Sequence, residues 1–427
     1  MSGKQESAGW WKDRCISWRG LGLGAALWLS TEAWADWPQF RGPPSGGHTH
    51  TTGLPLVWSE TNHIKWKTPV PGEGWSSPVI RRSQIWLTSA TAGGRSLRAL
   101  CFHADSGALI RNVELFAPEV LEPKNELNSF ASPTPVVEEE RVYCTFGAYG
   151  TACLGADDGR ILWRTQELKV DHAEGPGSSP ILYRDLFILN CDGTDSRYVV
   201  ALDKHTGRRV WRTERSNVIN KAPGLKKAFC TPIVIGHGDR DQLISPGAWR
   251  VSAYDPRDGK ELWWADTPGF SNVPMPVFGH GLVFVCSGFF NAELWAIRPD
   301  GQGDVTQSHV AWKYKKQVSL KPSPLLVGNE LYMVSDGGIA TCLDARTGAE
   351  VWQERIGGEH SASPIAAGGR IYCFSQDGAS PVLKASRQFQ GLATNRLASG
   401  FMASPALDGD AFILRTKTHL YRIEEKP

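Results

Sequence analysis

The sequence predicts an all-β protein, an eight-bladed β-propeller built from four-stranded antiparallel blades. Two observations carry this prediction. A hairpin signature that ends on a tryptophan recurs along the chain, and a short step of serine or threonine followed by proline recurs at similar intervals. A regular internal repeat determines architecture more firmly than local propensity does, because each unit buries its apolar surface only against its neighbours.

The hairpin signature is clearest in Ala201–Trp211, which reads ALDKHTGRRVW. Its aspartate can accept hydrogen bonds from the amides of the following turn, and Gly207 supplies the positive φ that closes the turn. The complete copies end on Trp163, Trp211, Trp263 and Trp352. Two further copies are degraded: Arg111 stands in one tryptophan slot, and an insertion precedes Trp312 in the other.

The proline steps mark the start of each unit. Proline has no amide hydrogen, so within a sheet it fits the first residue of a strand or an edge. The steps lie 40 to 57 residues apart, and methionine replaces the hydroxyl residue in one of them. They are Ser77-Pro78, Thr134-Pro135, Ser179-Pro180, Thr231-Pro232, Met275-Pro276, Ser323-Pro324, Ser363-Pro364 and Ser404-Pro405. Eight steps predict eight blades, each of four short strands.

The two ends of the chain predict how the ring closes. Ile64–Lys67 reads as a fourth strand without three predecessors, and Ser404–Ile423 reads as three strands without a fourth. Pairing the N-terminal strand with the C-terminal blade would remove two exposed edges. Residues 64–427 are therefore expected to form one propeller domain. Residues 36–63, rich in glycine, proline and threonine, are expected to be a lead-in loop packed on the surface.

Residues 1–35 predict a secretory signal peptide. A basic start precedes the short apolar core Leu21–Leu29, and Ala33-Trp34-Ala35 reads as a cleavage site. The apolar core is short for a bilayer span, and an uncleaved membrane anchor is the alternative. We therefore expect a periplasmic or secreted protein with no transmembrane segment in the mature chain.

Composition limits the kinds of partner. The net charge is +2, from 46 basic and 44 acidic residues, which gives no general attraction for nucleic acid or an anionic membrane. No phosphate-binding loop or nucleophile elbow occurs, so no catalytic residue is assigned. We expect a monomer that binds no nucleic acid.

The mature chain keeps eight cysteines, an even number that suits disulfides in an oxidising compartment. Most of them fall in small or medium apolar slots of the repeat, where cysteine packs well. The pair Cys144 and Cys153 is the candidate disulfide. Zinc spacing is absent, and Asp192–Asp195 reads better as a polar turn than as a calcium loop. No metal site is predicted.

The residues just ahead of the proline steps are the candidate binding site. First strands of propeller blades line the central channel, so these residues should gather at one mouth. They are Glu73, Trp75, Asn128, Phe130, Glu174, Phe229, Asn272, Lys321, His360 and Phe401. Aromatic and polar groups that converge on a funnel suit a binding surface. The alternative is that they only plug and solvate the channel mouth.

The repeat Ala-x-Asp-x-x-Thr-Gly-x-x-x-Trp, which Ala201–Trp211 matches in full, resembles the tryptophan-docking repeat of PQQ-type propellers. The opening Trp37–Gly42 is similar to that of secreted bacterial members of this family. In the family, the tryptophan docks between neighbouring blades. The resemblance therefore implies a structural docking role for Trp163, Trp211, Trp263 and Trp352.

The resemblance implies two alternative functions. Quinoprotein dehydrogenases bind PQQ and calcium on the propeller axis, whereas the BamB-like branch is a non-catalytic scaffold. This chain has no adjacent cysteines, no long insertions between blades and no match to the calcium ligands. It also lacks the lipobox cysteine of BamB. We expect a scaffold without a cofactor that binds an envelope or secreted protein or a polysaccharide. The alternative is a PQQ- and calcium-dependent alcohol or sugar oxidoreductase with an atypical site.

Overall fold

The computed structural model describes residues 37–43, 45–138, 140–215 and 221–425. These residues form eight sheets, each containing a four-stranded antiparallel meander. The predicted all-β, eight-bladed propeller is thereby confirmed. The predicted signal peptide lies outside the described residues. The helices within the described ranges are three short 3-10 turns, Ala92–Gly94, Gly147–Tyr149 and Pro223–Leu225. None of them is long or apolar enough to span a bilayer.

The blades are numbered 1 to 8 along the chain, and their strands are given from the channel outward. Blade 1 comprises Val79–Arg81, Gln84–Thr91, Ser96–His103 and Leu109–Phe116. Blade 2 comprises Val136–Glu138, Arg141–Thr145, Thr151–Gly155 and Ile161–Thr165. Blade 3 comprises Ile181–Tyr183, Leu186–Asp192, Arg197–Asp203 and Arg209–Glu214. Blade 4 comprises Ile233–His237, Arg240–Gly247, Arg250–Tyr254 and Glu261–Ala265.

The second half of the ring repeats this plan. Blade 5 comprises Val277–Gly279, Leu282–Cys286, Leu294–Ile297 and Val310–Tyr314. Blade 6 comprises Leu325–Val327, Glu330–Val334, Ile339–Asp344 and Glu350–Arg355. Blade 7 comprises Ile365–Ala367, Arg370–Tyr372, Ala379–Lys384 and Gly391–Arg396. Blade 8 comprises Ala406–Asp408, Ala411–Arg415, His419–Ile423 and the N-terminal strand Ile64–Pro69.

The ring closes as the sequence predicts. Ile64–Pro69 pairs antiparallel with His419–Ile423, and Lys67 lies opposite Tyr421. Two short strands were not predicted, and both pair in parallel with a blade. His48–Thr49 lies beside the first strand of blade 7, and Gly303–Asp304 lies beside the fourth strand of blade 4.

The docking tryptophans join neighbouring blades through a hydrogen bond and a close ring contact. The Trp163 Nε1–H donates to the carbonyl oxygen of Lys204 in blade 3 at 2.9 Å. A Cβ at Gly207, whose φ is +73°, would lie 2.5 Å from the Trp163 ring, so only glycine fits both the turn and the contact. The indoles of Trp211 and Trp352 donate in the same way to blade 4 and blade 7.

Where the repeat is irregular, other side chains complete the contact between neighbouring blades. The Trp263 indole donates to Gln242 at 2.7 Å, and the Gln242 side chain in turn donates to the carbonyl oxygen of Pro299 in blade 5 at 2.9 Å. Glutamine thus relays the contact where the blade 5 turn departs from the repeat. Arg111, in its tryptophan slot, donates to the carbonyl oxygen of Asp157 in blade 2. Two further tryptophans, Trp66 and Trp312, dock on blades 1 and 6.

The interface between blades 7 and 8 takes its tryptophan from outside the repeat. Ala393 pairs with Val382 at the position where other blades carry the docking tryptophan. Trp58 of the lead-in segment packs there, 6.1 Å from the Tyr372 ring and 5.3 Å from the Phe412 ring. Trp163 meets the equivalent rings of blades 2 and 3 at 6.2 and 6.4 Å. Trp58 is therefore the docking tryptophan of this interface.

The lead-in segment also crosses the channel. Trp37 bridges to Ile80 of blade 1, and its neighbour Pro38 accepts a hydrogen bond from Val137 of blade 2. Arg41 donates to the carbonyl oxygen of Pro324 in blade 6 at 2.7 Å. Because these first strands surround the axis, the segment closes one end of the channel. The expectation of a loop packed on the surface is wrong for its large side chains: the buried ones are Trp37, Arg41, Leu54 and Trp58.

The proposed disulfide between Cys144 and Cys153 is also wrong. Cys153 lies opposite Tyr143, whereas Cys144 lies opposite Ala152. Successive residues of a strand point to opposite faces, so the two thiols face different neighbouring blades. Cys144 packs between blades 1 and 2, and Cys153 packs between blades 2 and 3. All eight cysteines of the described residues are buried and unpaired.

Candidate functional site

A cavity of about 310 Å³ lies on the propeller axis, inside the ring of proline steps. Phe40 of the lead-in segment is part of its wall. Since the lead-in segment closes the other end of the channel, the cavity is a blind funnel that opens at one mouth. The hydroxyl residues of the steps line it. They are Ser77, Thr134, Ser179, Thr231, Ser323, Ser363 and Ser404.

These hydroxyls also connect the blades. The Ser77 amide donates to the Thr134 hydroxyl oxygen at 2.9 Å, and the Thr134 amide donates to the Ser179 hydroxyl oxygen at 2.9 Å. The same bond recurs from blade 3 to blade 4 and through blades 5, 6, 7 and 8. Met275 donates its amide to Ser323 but has no hydroxyl to accept a bond from Thr231. The sequence pattern indicates a role for the prolines of these steps but none for the hydroxyls.

Five of the ten predicted mouth residues line the funnel. They are Trp75, Asn128, Glu174, Phe229 and Lys321. Asn128 also links two connections between blades, because its side-chain amide donates to the carbonyl oxygens of Glu174 at 2.7 Å and Pro176 at 3.2 Å. Residues ahead of the proline steps therefore line the funnel, although Asn128 also has a structural role.

The other five predicted residues lie near the mouth but make contacts within the fold. Glu73 pairs with Lys124 at 3.4 Å, and Phe130 packs edge-on against Tyr149. The Asn272 amide donates to the carbonyl oxygen of Gly247 at 2.7 Å. His360 and Phe401 are both buried. The two His360 ring nitrogens lie 3.1 and 2.9 Å from backbone carbonyl oxygens, and Phe401 packs edge-on against Phe374.

The carboxylates of the funnel are neutralised by lysines. Glu174 pairs with Lys227. Asp336 pairs with Lys321 at 2.8 Å and also accepts the amides of Leu320 and Lys321 at 2.9 and 3.1 Å. No group of three or more histidine, cysteine or acidic side chains that could share a metal ion occurs in the described ranges. The funnel therefore does not fit the bound calcium ion of a PQQ site, which needs several oxygen ligands.

His172 is a further titratable side chain near the mouth. It is 5% exposed, and neither ring nitrogen has a hydrogen-bond partner within the described part of the chain. Burial lowers its pKa to about 4. Burial, and then the nearby charge of Asp171, raises the pKa of Glu122 in the neighbouring loop.

Sequence reasoning missed the loops between second and third strands, which also reach the funnel. Phe289 and Asp336 come from such loops, and Leu127 comes from the connection between blades 1 and 2. The repeat indicates only the residues next to the proline steps, so it does not point to these loops. Two consecutive phenylalanines in a loop, Phe289 and Phe290, were the available signal. They are 47% and 77% exposed.

Comparison with known proteins gives two kinds of relative. The family model described as outer membrane protein assembly factor BamB matches residues 98–217 and 195–426. The outer membrane protein assembly factor BamB of Yersinia pestis is 24% identical over 238 residues, which are 52% of this chain and 56% of that protein. The quinohemoprotein alcohol dehydrogenase ADH-IIG of Pseudomonas putida is 26% identical over 177 residues, which are 39% of this chain and 24% of that protein.

The chain thus spans about a quarter of the dehydrogenase and just over half of the Yersinia protein. Among solved structures, the quinohemoprotein alcohol dehydrogenase of Comamonas testosteroni superposes with a TM-score of 0.65 at 11% identity. The superposition covers 92% of this chain and 81% of that chain. At this identity, the likeness is one of fold alone.

Proposed function

The chain belongs to the family of the outer membrane protein assembly factor BamB, and from that premise we propose that it is a non-catalytic propeller scaffold. Its partner is a protein or polymer of the cell envelope, bound at the open mouth of the funnel. The observation that carries the proposal is the chemistry of that mouth. It presents exposed apolar side chains and hydroxyls, while its carboxylates are held by lysines.

A rigid ring supports this role. Eight blades joined by docking side chains, a hydroxyl ring and a closing strand give fixed positions to the loops between them. Loops held by a rigid scaffold are well suited to binding, because little conformational entropy is lost on association. The predicted signal peptide and the similarity to the outer membrane protein assembly factor of Yersinia support a periplasmic or secreted location.

The second candidate is a PQQ- and calcium-dependent oxidoreductase of alcohols or sugars, favoured by the likeness to the Pseudomonas dehydrogenase. Its cofactor would need oxygen ligands for calcium on the axis. The two acidic side chains of the funnel, Glu174 and Asp336, are each engaged by a lysine. The residues present therefore do not fit this cofactor, and the candidate ranks second.

The first test is a titration of the purified mature chain with PQQ and calcium, followed by tryptophan fluorescence. Trp75 lines the funnel, so a ligand on the axis should quench it. The scaffold proposal expects no saturable change. Saturable quenching that requires calcium, followed by dye-linked oxidation of alcohols or sugars, would reverse the ranking of the two candidates.

The second test identifies the partner. A photo-crosslinking amino acid is placed at Leu127, which lines the funnel and is 42% exposed. The matched control position is Val210, which is 53% exposed on an outer strand. The proposal expects an adduct with an envelope component at Leu127 and not at Val210. The same adducts at both positions would contradict binding at the mouth.

A further inference from the structure

One side of the funnel mouth carries a cluster of aromatic side chains, here called the mouth patch: Trp249, Phe270, Phe289 and Phe290. Trp249 stacks on Phe270, with ring centroids 6.0 Å apart. The Phe270 ring contacts both Phe289 and Phe290, and those two rings lie 4.5 Å apart. Phe270 is buried, whereas Phe289 and Phe290 are 47% and 77% exposed. The patch thus has a packed base and an exposed apolar surface.

The loop that carries Phe289 and Phe290 has an energetically unfavourable backbone conformation. Phe290 has a φ of +77°, which is unfavourable for a side chain of this size. The Phe289 amide donates to the carbonyl oxygen of Phe270 at 2.8 Å. A Cβ at Gly288 would lie 2.0 Å from that same oxygen, so the loop requires glycine there. Strain that keeps a large apolar side chain in water stabilises nothing within the fold, and such strain is typical of binding sites.

Two lysines lie in the loop that contacts the Trp249 side of the patch. Lys221 is exposed, and its Nζ lies 4.3 Å from the centre of the Trp249 ring. Lys226 follows in the same loop, whose Leu225 carbonyl oxygen accepts the Trp249 indole at 2.7 Å. Neither lysine has a carboxylate partner among the described residues. Lys227, in contrast, pairs with Glu174.

The remaining charges beside the patch cancel. Glu293, at the end of the loop that carries the phenylalanines, pairs with Lys315 at 2.7 Å. Asp336 pairs with Lys321 at 2.8 Å on the adjoining blade. Counting these groups leaves the two lysines of the 221–226 loop as uncompensated positive charge. The local field therefore favours an acidic partner, even though the whole chain is nearly neutral.

We propose that the mouth patch binds a segment of a partner polypeptide that combines apolar and acidic side chains. The apolar side chains pack on Phe289 and Phe290, and the acidic ones pair with Lys221 and Lys226. This inference rests on the proposed scaffold function and names the chemistry of its partner. At protein interfaces, buried aromatic side chains usually supply most of the binding energy, and a polar or charged rim surrounds them.

The test uses fluorescence polarisation with the full mature chain and three labelled peptides of about twelve residues. The probe alternates Leu or Phe with Asp or Glu. One reference peptide replaces the acidic residues by lysine, and the other replaces the apolar residues by serine. We expect saturable binding of the probe alone, weakened by salt because the ionic contacts are exposed. Equal or stronger binding of either reference peptide would overturn the inference.

Matched variants locate the binding. Phe290→Ser and the double variant K221E/K226E should each weaken binding of the probe by about tenfold or more. Phe389→Ser and Lys384→Glu change an exposed phenylalanine and an exposed lysine on another part of the ring, and they should leave it unchanged. Phe290 is largely exposed, so its replacement should not prevent folding, which circular dichroism checks. Unchanged affinity of the folded Phe290→Ser protein would refute the assignment.

Two other occupants of the patch are outcomes of the same series. Self-association that Phe290→Ser abolishes would assign the patch to a second copy of this chain. Sedimentation with phosphatidylglycerol vesicles that depends on Phe290 would assign it to a membrane surface. Either result would overturn the inference. If the probe fails to bind while crosslinking at Leu127 captures an envelope protein, the inference fails but the scaffold function stands.

Discussion

Replacing Trp58 by alanine should destabilise the propeller by about 3–5 kcal/mol, as for other large aromatics in a core. Trp58 is 2% exposed. Burial of a tryptophan removes on the order of 200 Å² from water, which corresponds to an upper bound of about 5 kcal/mol at 25 cal/mol per Å². Alanine would leave a cavity between Tyr372 and Phe412, at the interface whose own repeat supplies only Ala393.

Trp58→Phe separates packing from hydrogen bonding. The Trp58 indole nitrogen is buried without a hydrogen-bond partner in the described part of the chain. Phenylalanine keeps most of the ring contact and removes the unpaired donor, so its cost should be smaller, about 1–2 kcal/mol. Trp163→Ala is the reference, since it empties the equivalent position of a regular interface and also loses the bond to Lys204. Val57→Ala, at a residue that is 54% exposed, should change stability by less than about 0.5 kcal/mol.

Equilibrium unfolding in urea, followed by circular dichroism, measures these free energies. Hydrogen exchange of Gly391–Arg396 then shows whether the loss is local to the interface between blades 7 and 8. The backbone of Trp58 is bonded to this strand, because its amide donates to the Asn395 side chain at 2.8 Å. A Trp58→Ala protein within about 0.5 kcal/mol of the parent, with unchanged exchange, would refute the claim that Trp58 acts as a docking tryptophan.

Three further predictions concern the hydroxyl ring, pH and the thiols. Thr134→Val should lower the free energy of unfolding in urea by about 1–3 kcal/mol, because the buried Ser77 amide loses its acceptor. An unchanged free energy would show that these hydroxyls do not contribute to stability. His172 has a folded-state pKa of about 4, below its unfolded value, so the unfolded state binds more protons between these values. The free energy of unfolding should therefore fall as pH drops from about 6.5 to 4, by up to about 3 kcal/mol, and a His172→Gln protein should lack this component. A thiol reagent should react with Cys144 and Cys153 only after denaturation and without prior reduction, whereas thiols that appear only after reduction would restore the disulfide.

Much of the fold could be predicted because the repeat is local. The spacing from Gly207 to Trp211 lies within one hairpin, so it can be read without knowing what packs against it. The proline steps likewise count first strands directly. The N-terminal strand at Ile64 and the last strand at Ile423 each lacked a neighbour, so their pairing with each other was predictable.

The candidate site was only partly predictable. Trp75 and Phe229 were found because they adjoin a proline step. Phe289 was missed because it lies in the loop between the second and third strands of blade 5, away from any proline step. Cys144 and Cys153 were paired wrongly because spacing along a hairpin does not give register, and a shift of one residue moves a side chain to the opposite face.

Three features follow from the sequence alone: the number of blades, the closure of the ring and the end of the channel that carries the mouth. Three others depend on packing between distant parts of the chain: Trp58 fills the slot left by Ala393, residues 37–43 and 45–49 close the channel, and Phe290 lies exposed in a patch that Lys221 also contacts. These contacts join residues far apart in the chain, and no periodicity records them. They follow from shape and charge at blade interfaces, where side chains from different units must fill one volume at close packing.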